Sequence, residues 1–253
     1  KMRKNLKVMK DAAKAGTEKE VYSLSGLIGG DGHRLNNYAK NKKTLTGRAT
    51  NIAMAMALAS SEVNASMGKI VACPTAGSCG ILPAVILAAG EVLELSEDEM
   101  INGLLAASAV GMIIGMNATL SGAEGGCQAE CGSASAMGAA AVVELMGGTP
   151  KMSLDAGSII LQNVLGLVCD PVAGLVEIPC AKRNAQGAIT ALCTVDMVMA
   201  GVEAKIPFDD AVEAMYKVGK SLPSALRETA MGGVAATKEG LRLKEKVFGK
   251  NNE

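Results

Sequence analysis

SEDEMINGLLAASAVGMIIGMNATL, residues 96–120, decides how this chain folds. Ser96 is a good helix N-cap, and Glu99 three positions on completes a capping box, so the stretch opens as a helix. The apolar run that follows, Leu104 to Leu120, approaches the length of a membrane span. Two Gly, a Ser, an Asn and a Thr interrupt it, so it reads as a buried core helix running to about Met116. No membrane partner is expected.

The flanking sequence has the same character. Residues 1–15 are charged, with Leu6, Val8 and Met9 apolar, and predict an amphipathic helix ending near Gly16. Residues 1–22 as a whole are expected to form a mobile N-terminal arm. SLSGLIGGDG (23–32) reads as a Gly-rich turn. Helical spacing recurs at Leu45, Ile52, Met56 and Ala59, and residues 81–95 follow a Gly-rich loop as a buried helix. Further helices are expected from about Glu130 to Met146, from Ser153 to about Val168, over 185–204, and over FDDAVEAMYKVGKSL (208–222), whose first-turn acids suit the macrodipole. KIVAC (69–73) is the best strand candidate, and the charged tail, 237–253, is expected on the surface. No repeat or linker divides the chain. The fold class expected is all-α, with residues 1–253 forming one helical domain whose Gly/Pro-rich loops lie between buried Ala-rich helices.

Composition narrows the function. Of 253 residues, 49% are apolar but only 2% aromatic, so the core must be built from Ala, Leu, Ile, Val and Met. The 25 basic and 25 acidic residues balance. That balance, with so few aromatic stacking platforms, argues against a nucleic-acid partner. No signal peptide is read, and the chain is expected to be cytoplasmic. There its seven cysteines are better read as ligands, catalysts or core residues than as disulfides.

Five polar, Gly-rich segments interrupt the helices: 27–32, CPTAGSCG (73–80), NATLSGAEGGCQAECG (117–132), CDPVAGLVEIPCAKRN (169–184) and RETAMGGVAAT (227–237). Loops between rigid helices are where sites sit. Cys127, Cys169 and Cys180 all lie in them. Three thiolates on rigid loops suit an iron–sulfur cluster with one iron left open, but there is no Cys-x-x-Cys spacing, and three core cysteines are the alternative reading. Cys131 is a fourth ligand or a core residue; Cys193 reads as core. A zinc site is disfavoured, since the single His33 is distant in sequence. PTAGSCG, with Gly77 and Gly80 freeing backbone N–H groups at a helix start, suits an anion, either a phosphate or a small carboxylate.

NATLSGAEGGCQAECGSASAMGAAA, GLVCDPVAGLVEIPCAKRNA, SALRETAMGGVAAT and CPTAGSCGILPAVI together resemble the signature segments of the iron–sulfur-dependent L-serine dehydratases, from about Ser25 to Phe248. The chain matches the catalytic α portion of that family. The resemblance implies a [4Fe-4S] cluster on Cys127, Cys169 and Cys180, no pyridoxal phosphate, and a lyase that converts L-serine to pyruvate and ammonia. It also implies a β subunit and a homo- or hetero-oligomer. Substrate contacts are expected from Thr75, Gly77 and Ser78, from Asn117, Ser121 and Glu124, and from Lys182, Arg183, Asn184 and Arg227. Lys182 and Arg183 also suit a role offsetting cluster charge, and Glu124 and Arg227 suit a structural ion pair. The α-proton base is not legible in the sequence; His33 and a β-subunit residue are the candidates. Three rival readings stand beside this one. The first is the same chemistry on L-threonine or L-cysteine. The second is a pyridoxal phosphate lyase using Lys69 or Lys182. The third is a non-catalytic amino-acid-binding or scaffold chain.

Overall fold

The helix that opens at Ser96 does so through both halves of its capping box. Glu99 N–H donates to Ser96 Oγ at 3.3 Å, and Ser96 N–H donates to Glu99 Oε2 at 2.7 Å. A computed structural model describes residues 1–249, and among these no strand forms. The helices are α1 (Met2–Glu18), α2 (Asp31–Asn41), α3 (Gly47–Ala65), α4 (Ile81–Val92), α5 (Glu97–Asn117), the single turn α6 (Gly122–Gly125), α7 (Ser133–Leu145), α8 (Pro150–Asn163), α9 (Cys180–Met199), α10 (Phe208–Ser221) and α11 (Lys238–Phe248). Of the charged tail, α11 buries only Gly240, and residues 250–253 lie outside the described part.

The centre is α7. Every residue from Ser133 to Val143 is buried, and α4, α5, α8 and α9 pack around it. A helix buried on all sides has no amphipathic stripe, and its run of Ala and Gly lets four neighbours approach closely. α5 is long and apolar enough to cross a membrane by length and composition. It buries one stripe, Met100, Gly103, Leu104, Ala107, Val110, Gly111 and Ile114, and packs on α7.

Within residues 1–22, α1 buries Leu6, Met9, Ala12, Ala13 and Gly16 and packs on α3. Gly16 and Gly32 both back onto Ala59, where an added Cβ would lie 2.7 Å from its nearest atom. Several expectations are corrected. KIVAC forms no strand, because no neighbouring segment offers it a ladder partner among the described residues. Leu45 lies before α3 and is exposed. α8 starts earlier than expected: Thr149 caps it through Met152 N–H at 3.3 Å, and Pro150 is its first residue.

Of α2, only Asp31 and Gly32 fall within a segment the sequence assigns, the turn at 23–32. Its cap comes from another helix. Glu62 of α3 accepts Asp31 N–H at 2.6 Å and lies 3.4 Å from Gly32 N through each oxygen. Glu62 is fully buried. Burial pushes its carboxyl up to about 7, against the pull of the two backbone donors; the charge of Asp31 adds to the rise and Arg34 opposes it. The folded value lies above the ordinary 4.5. The unfolded chain therefore ionises first, and stability falls as pH rises from about 4.5 to about 7, then levels off. Glu62→Gln removes this titration. The urea midpoint of the variant, relative to wild type, is expected to rise through that window and stay constant above it.

Candidate metal centre

Cys127 is positioned by its neighbours. Gly126 takes φ +77° and fits against Leu167, whose carbonyl lies 2.7 Å from where a Cβ would be. Gln128, fully buried, donates its N–H to Leu167 O at 3.0 Å and its side-chain Nε2 to Met215 O at 2.9 Å. Its Oε1 accepts Gly166 N–H at 2.9 Å. One amide thus ties the Cys127 turn to α10 and to the segment leading into Cys169. Residues Gln128–Gly132 form a π-helical turn, a feature common at functional sites. It places Glu130 Oε2 4.0 Å from Cys127 Sγ.

Cys169 is held by a backbone bridge to the 226–228 segment. Its N–H donates to Leu226 O at 2.9 Å, and its carbonyl accepts Glu228 N–H at 2.7 Å. Glu228 and Ala230 adopt φ +64° and +54°, a left-handed backbone that costs non-glycine residues energy and clusters at functional sites. Cys180 is the first residue of α9, and Asn184 clamps it. Asn184 Nδ2 donates to Cys180 O at 2.9 Å and Gly77 O at 2.7 Å, while Oδ1 accepts Gly80 N–H at 2.8 Å. The PTAGSCG loop is fixed to the Cys180 loop by that one side chain.

Within this frame, donor atoms of Cys127, Glu130 and Cys169 all lie within 4.8 Å of one another, and all three residues are buried. Cys180 lies outside that close group, although Cys127 and Glu130 both act on it electrostatically. Thr75 donates its hydroxyl to Glu130 Oε1 and sits 3.1 Å from Ser78 Oγ. Arg183 brings Nη1 to 3.6 Å from Cys127 Sγ, 2.9 Å from Val168 O and 2.9 Å from Asp170 Oδ1.

The electrostatics separate the thiols. Thiol hydrogen bonds from Cys131 and Cys169, with Arg183 beside them, hold Cys127 well below the ordinary thiol range. Cys131 and Cys169 are pushed up, first because they donate to Cys127 and then by burial. Burial raises Cys180 to about 12 and Glu130 to about 7. Metal-free, this donor set supports one thiolate; a bound cation would allow the others to ionise. Buried thiols beside a carboxylate are compatible with a metal cofactor.

Of the residues expected at the site, Thr75, Ser78, Arg183 and Asn184 converge here with Cys127 and Cys169. Gly77 matters for its missing side chain, since a Cβ would collide with Glu130 Oε1. Arg227 pairs with Cys169 through backbone, and its buried Nε has no partner. Lys182 turns away to Asp31 Oδ2 at 2.7 Å. Asn117 Nδ2 donates to Ile113 O of its own helix at 2.8 Å. Ser121 N–H donates to Thr119 Oγ1 at 3.1 Å, just before α6. Glu124 is exposed and makes no ion pair with Arg227 among the described residues. His33 is engaged elsewhere: Nδ1 is 3.0 Å from Thr17 O, and Nε2 is 2.8 Å from Asn37 Nδ2. Cys193 is exposed, not core, because α9 buries Ala188, Ala191 and Val195 and position 193 falls off that stripe. The sequence reading passed over Glu130, although it is the only charge between Gly125 and Val143.

Comparison with known proteins gives a consistent picture. The family model described as serine dehydratase alpha chain matches residues 1–235. A probable L-serine dehydratase alpha chain from Bacillus subtilis (strain 168) is 51% identical over 97% of this chain and 81% of its own length. The L-serine dehydratase alpha chain of Peptoniphilus asaccharolyticus is 52% identical over 92% of this chain and 80% of its own. The L-serine dehydratase TdcG of Escherichia coli (strain K12) is 44% identical over 71% of this chain, a match covering 40% of that longer enzyme. With its cysteine loops inside the matched region, the chain belongs to the serine dehydratase alpha-chain family.

Proposed function

We propose that this chain, as one catalytic domain, deaminates L-serine to pyruvate and ammonia, with a [4Fe-4S] cluster on Cys127, Cys169 and Cys180. The observation that carries the reading is the convergence of Cys127, Cys169 and Glu130 in one buried place, in a chain half identical to proteins named L-serine dehydratase. Such a cluster, when bound, supplies a Lewis-acidic iron that stabilises charge on the departing substrate oxygen.

The chain's own groups bind and orient. The loop of Thr75, Gly77 and Ser78 lies at the N-terminus of α4, where backbone N–H groups and the helix dipole favour the substrate carboxylate. Asn184 holds that loop in register with Cys180. Arg227, with an unpartnered Nε beside the Cys169 bridge, is the second carboxylate contact. Arg183 sustains the Cys127 thiolate. Asn117, Ser121 and Glu124 flank the Cys127 loop and complete the substrate side; Lys182 acts from outside by tying α9 to α2. A β subunit supplies the base for the α-proton. Loss of that proton and of the β-hydroxyl leaves aminoacrylate, which tautomerises to an imine and hydrolyses to pyruvate and ammonia.

The test is a rate comparison on L-serine, L-threonine and L-cysteine, using chain reconstituted anaerobically with iron and sulfide, with and without the β subunit. L-serine is expected to give the highest kcat/KM. A higher value for L-threonine or L-cysteine would replace the substrate, and no turnover of any of the three would leave a binding chain.

A further inference from the structure

A buried carboxylate needs compensation, and Glu130 has little. The residue is 9% exposed, and its Oε1 accepts one hydroxyl, that of Thr75. Among the described residues its Oε2 has one hydrogen-bond partner, the Cys127 sulfur, at 4.0 Å. No Lys or Arg pairs with it among the described residues; Arg183 is committed to Asp170, Val168 O and Cys127, and Arg227 Nε, beside the Cys169 bridge, makes no hydrogen bond to it. An acid buried without a cation is costly unless something else supplies the charge.

The space around it is shaped for a carboxylate next to sulfur. At Gly77 a Cβ would strike Glu130 Oε1. At Gly122 a Cβ would lie 3.0 Å from both Glu130 Oε2 and Cys169 Sγ. Two missing side chains, from loops 45 positions apart in sequence, therefore leave room for one carboxylate oxygen to stand beside Cys169 while Thr75 fixes the other. The π-helical turn is capped by Cys127 and carries Glu130 three residues on, with its Oε2 4.0 Å from the Cys127 sulfur.

Resting on the cluster reading above, we propose that the Glu130 carboxylate is the resting ligand of the cluster iron that three cysteines leave open, and that substrate displaces it. The exchange is one of lone pairs: a substrate oxygen donates to the iron as Glu130 Oε2 withdraws, and no electron changes hands. The carboxylate is an oxygen ligand among sulfurs, so it leaves more readily than a thiolate, and Thr75 retains it nearby for return.

The test uses full chain reconstituted anaerobically with iron-57 and sulfide. Mössbauer spectra are recorded with and without L-serine, and the three-iron electron paramagnetic resonance signal is followed after a measured exposure to air. Wild type is expected to show one distinct iron whose spectrum changes with L-serine. Glu130→Gln is expected to hold the cluster but to show the distinct iron altered before any serine is added, and to lose that iron roughly tenfold faster in air or more. Thr75→Val, which removes only the hydroxyl on Oε1, is expected to fall between the two and covers the case in which Glu130→Gln fails to fold. A Glu130→Gln spectrum and loss rate equal to wild type, or Thr75→Val equal to wild type when Glu130→Gln does not fold, would overturn the proposal and leave the cluster reading standing. Wild-type chain that takes up no iron and sulfide would overturn both.

Discussion

Cys127→Ala, prepared and reconstituted anaerobically, is expected to keep its helical content and to lose both its iron and about a thousandfold or more in kcat/KM on L-serine, on the order of 4 kcal/mol of transition-state stabilisation. The fold survives because the backbone there is held by other groups. Gly126 fits against Leu167, and Gln128 clamps α10 to the segment before Cys169. Removing one buried sulfur costs about 1 kcal/mol of packing. The chemistry does not survive, because Cys127 is the one thiol held well below the ordinary range, by Cys131, Cys169 and the Arg183 guanidinium, whose Nη1 lies 3.6 Å from its sulfur. Cys193→Ala is the matched control: that thiol is exposed on α9 and off the buried stripe. Iron and acid-labile sulfide content, visible absorption and pyruvate formation are the readouts. A Cys127→Ala chain with wild-type iron content would remove Cys127 from the ligand set.

How far the sequence carries depends on whether a feature is local. The α5 cap is local: Ser96 and Glu99 are three residues apart, and the structure forms both bonds. The central helix was legible as a run of Ala and Gly with nothing to expose. α2 was not legible, because its cap, Glu62, is 31 positions away and sequence spacing carries no trace of it. KIVAC has the composition of a strand, but a strand needs a partner, and none lies beside it among the described residues. In the site, the cysteine loops stood out as Gly- and Pro-rich interruptions of an apolar helical chain. Glu130 left a readable signal, a lone charge in an otherwise uncharged stretch, but a single acid three residues after a cysteine has no ligand spacing of its own to mark it as part of a site. Lys182 and Arg183 are adjacent in sequence yet face apart, one to Asp31 and the other to Cys127. A helix sends neighbouring side chains about 100° apart, so a sequence motif containing both cannot assign both to one site.

Asp170→Ala is expected to lower the stability of the metal-free chain by about 3–5 kcal/mol, read by urea unfolding under anaerobic conditions. Asp170 is 2% exposed and performs two tasks. Its Oδ1 sits 2.9 Å from Arg183 Nη1 as an ion pair without hydrogen-bond alignment, and its Oδ2 accepts Val234 N–H at 2.7 Å. Gly233, at φ +59°, lets that backbone close over the carboxylate, where a Cβ would collide with it. Removing the carboxylate strips the nearby charge from a largely buried guanidinium and frees a backbone donor, so the loss exceeds that of a surface pair. The guanidinium then also loses its orientation toward Cys127, and slower iron uptake is expected to accompany the lost stability. Arg183→Met in the Asp170→Ala background separates the two tasks. If the ion pair dominates, deleting the second charge recovers part of the stability, because no uncompensated cation remains. If the losses simply add, Asp170 acts through Val234 and Arg183 through the Val168 carbonyl, and the link from the 227–237 segment to Cys127 runs through backbone contacts instead of charge.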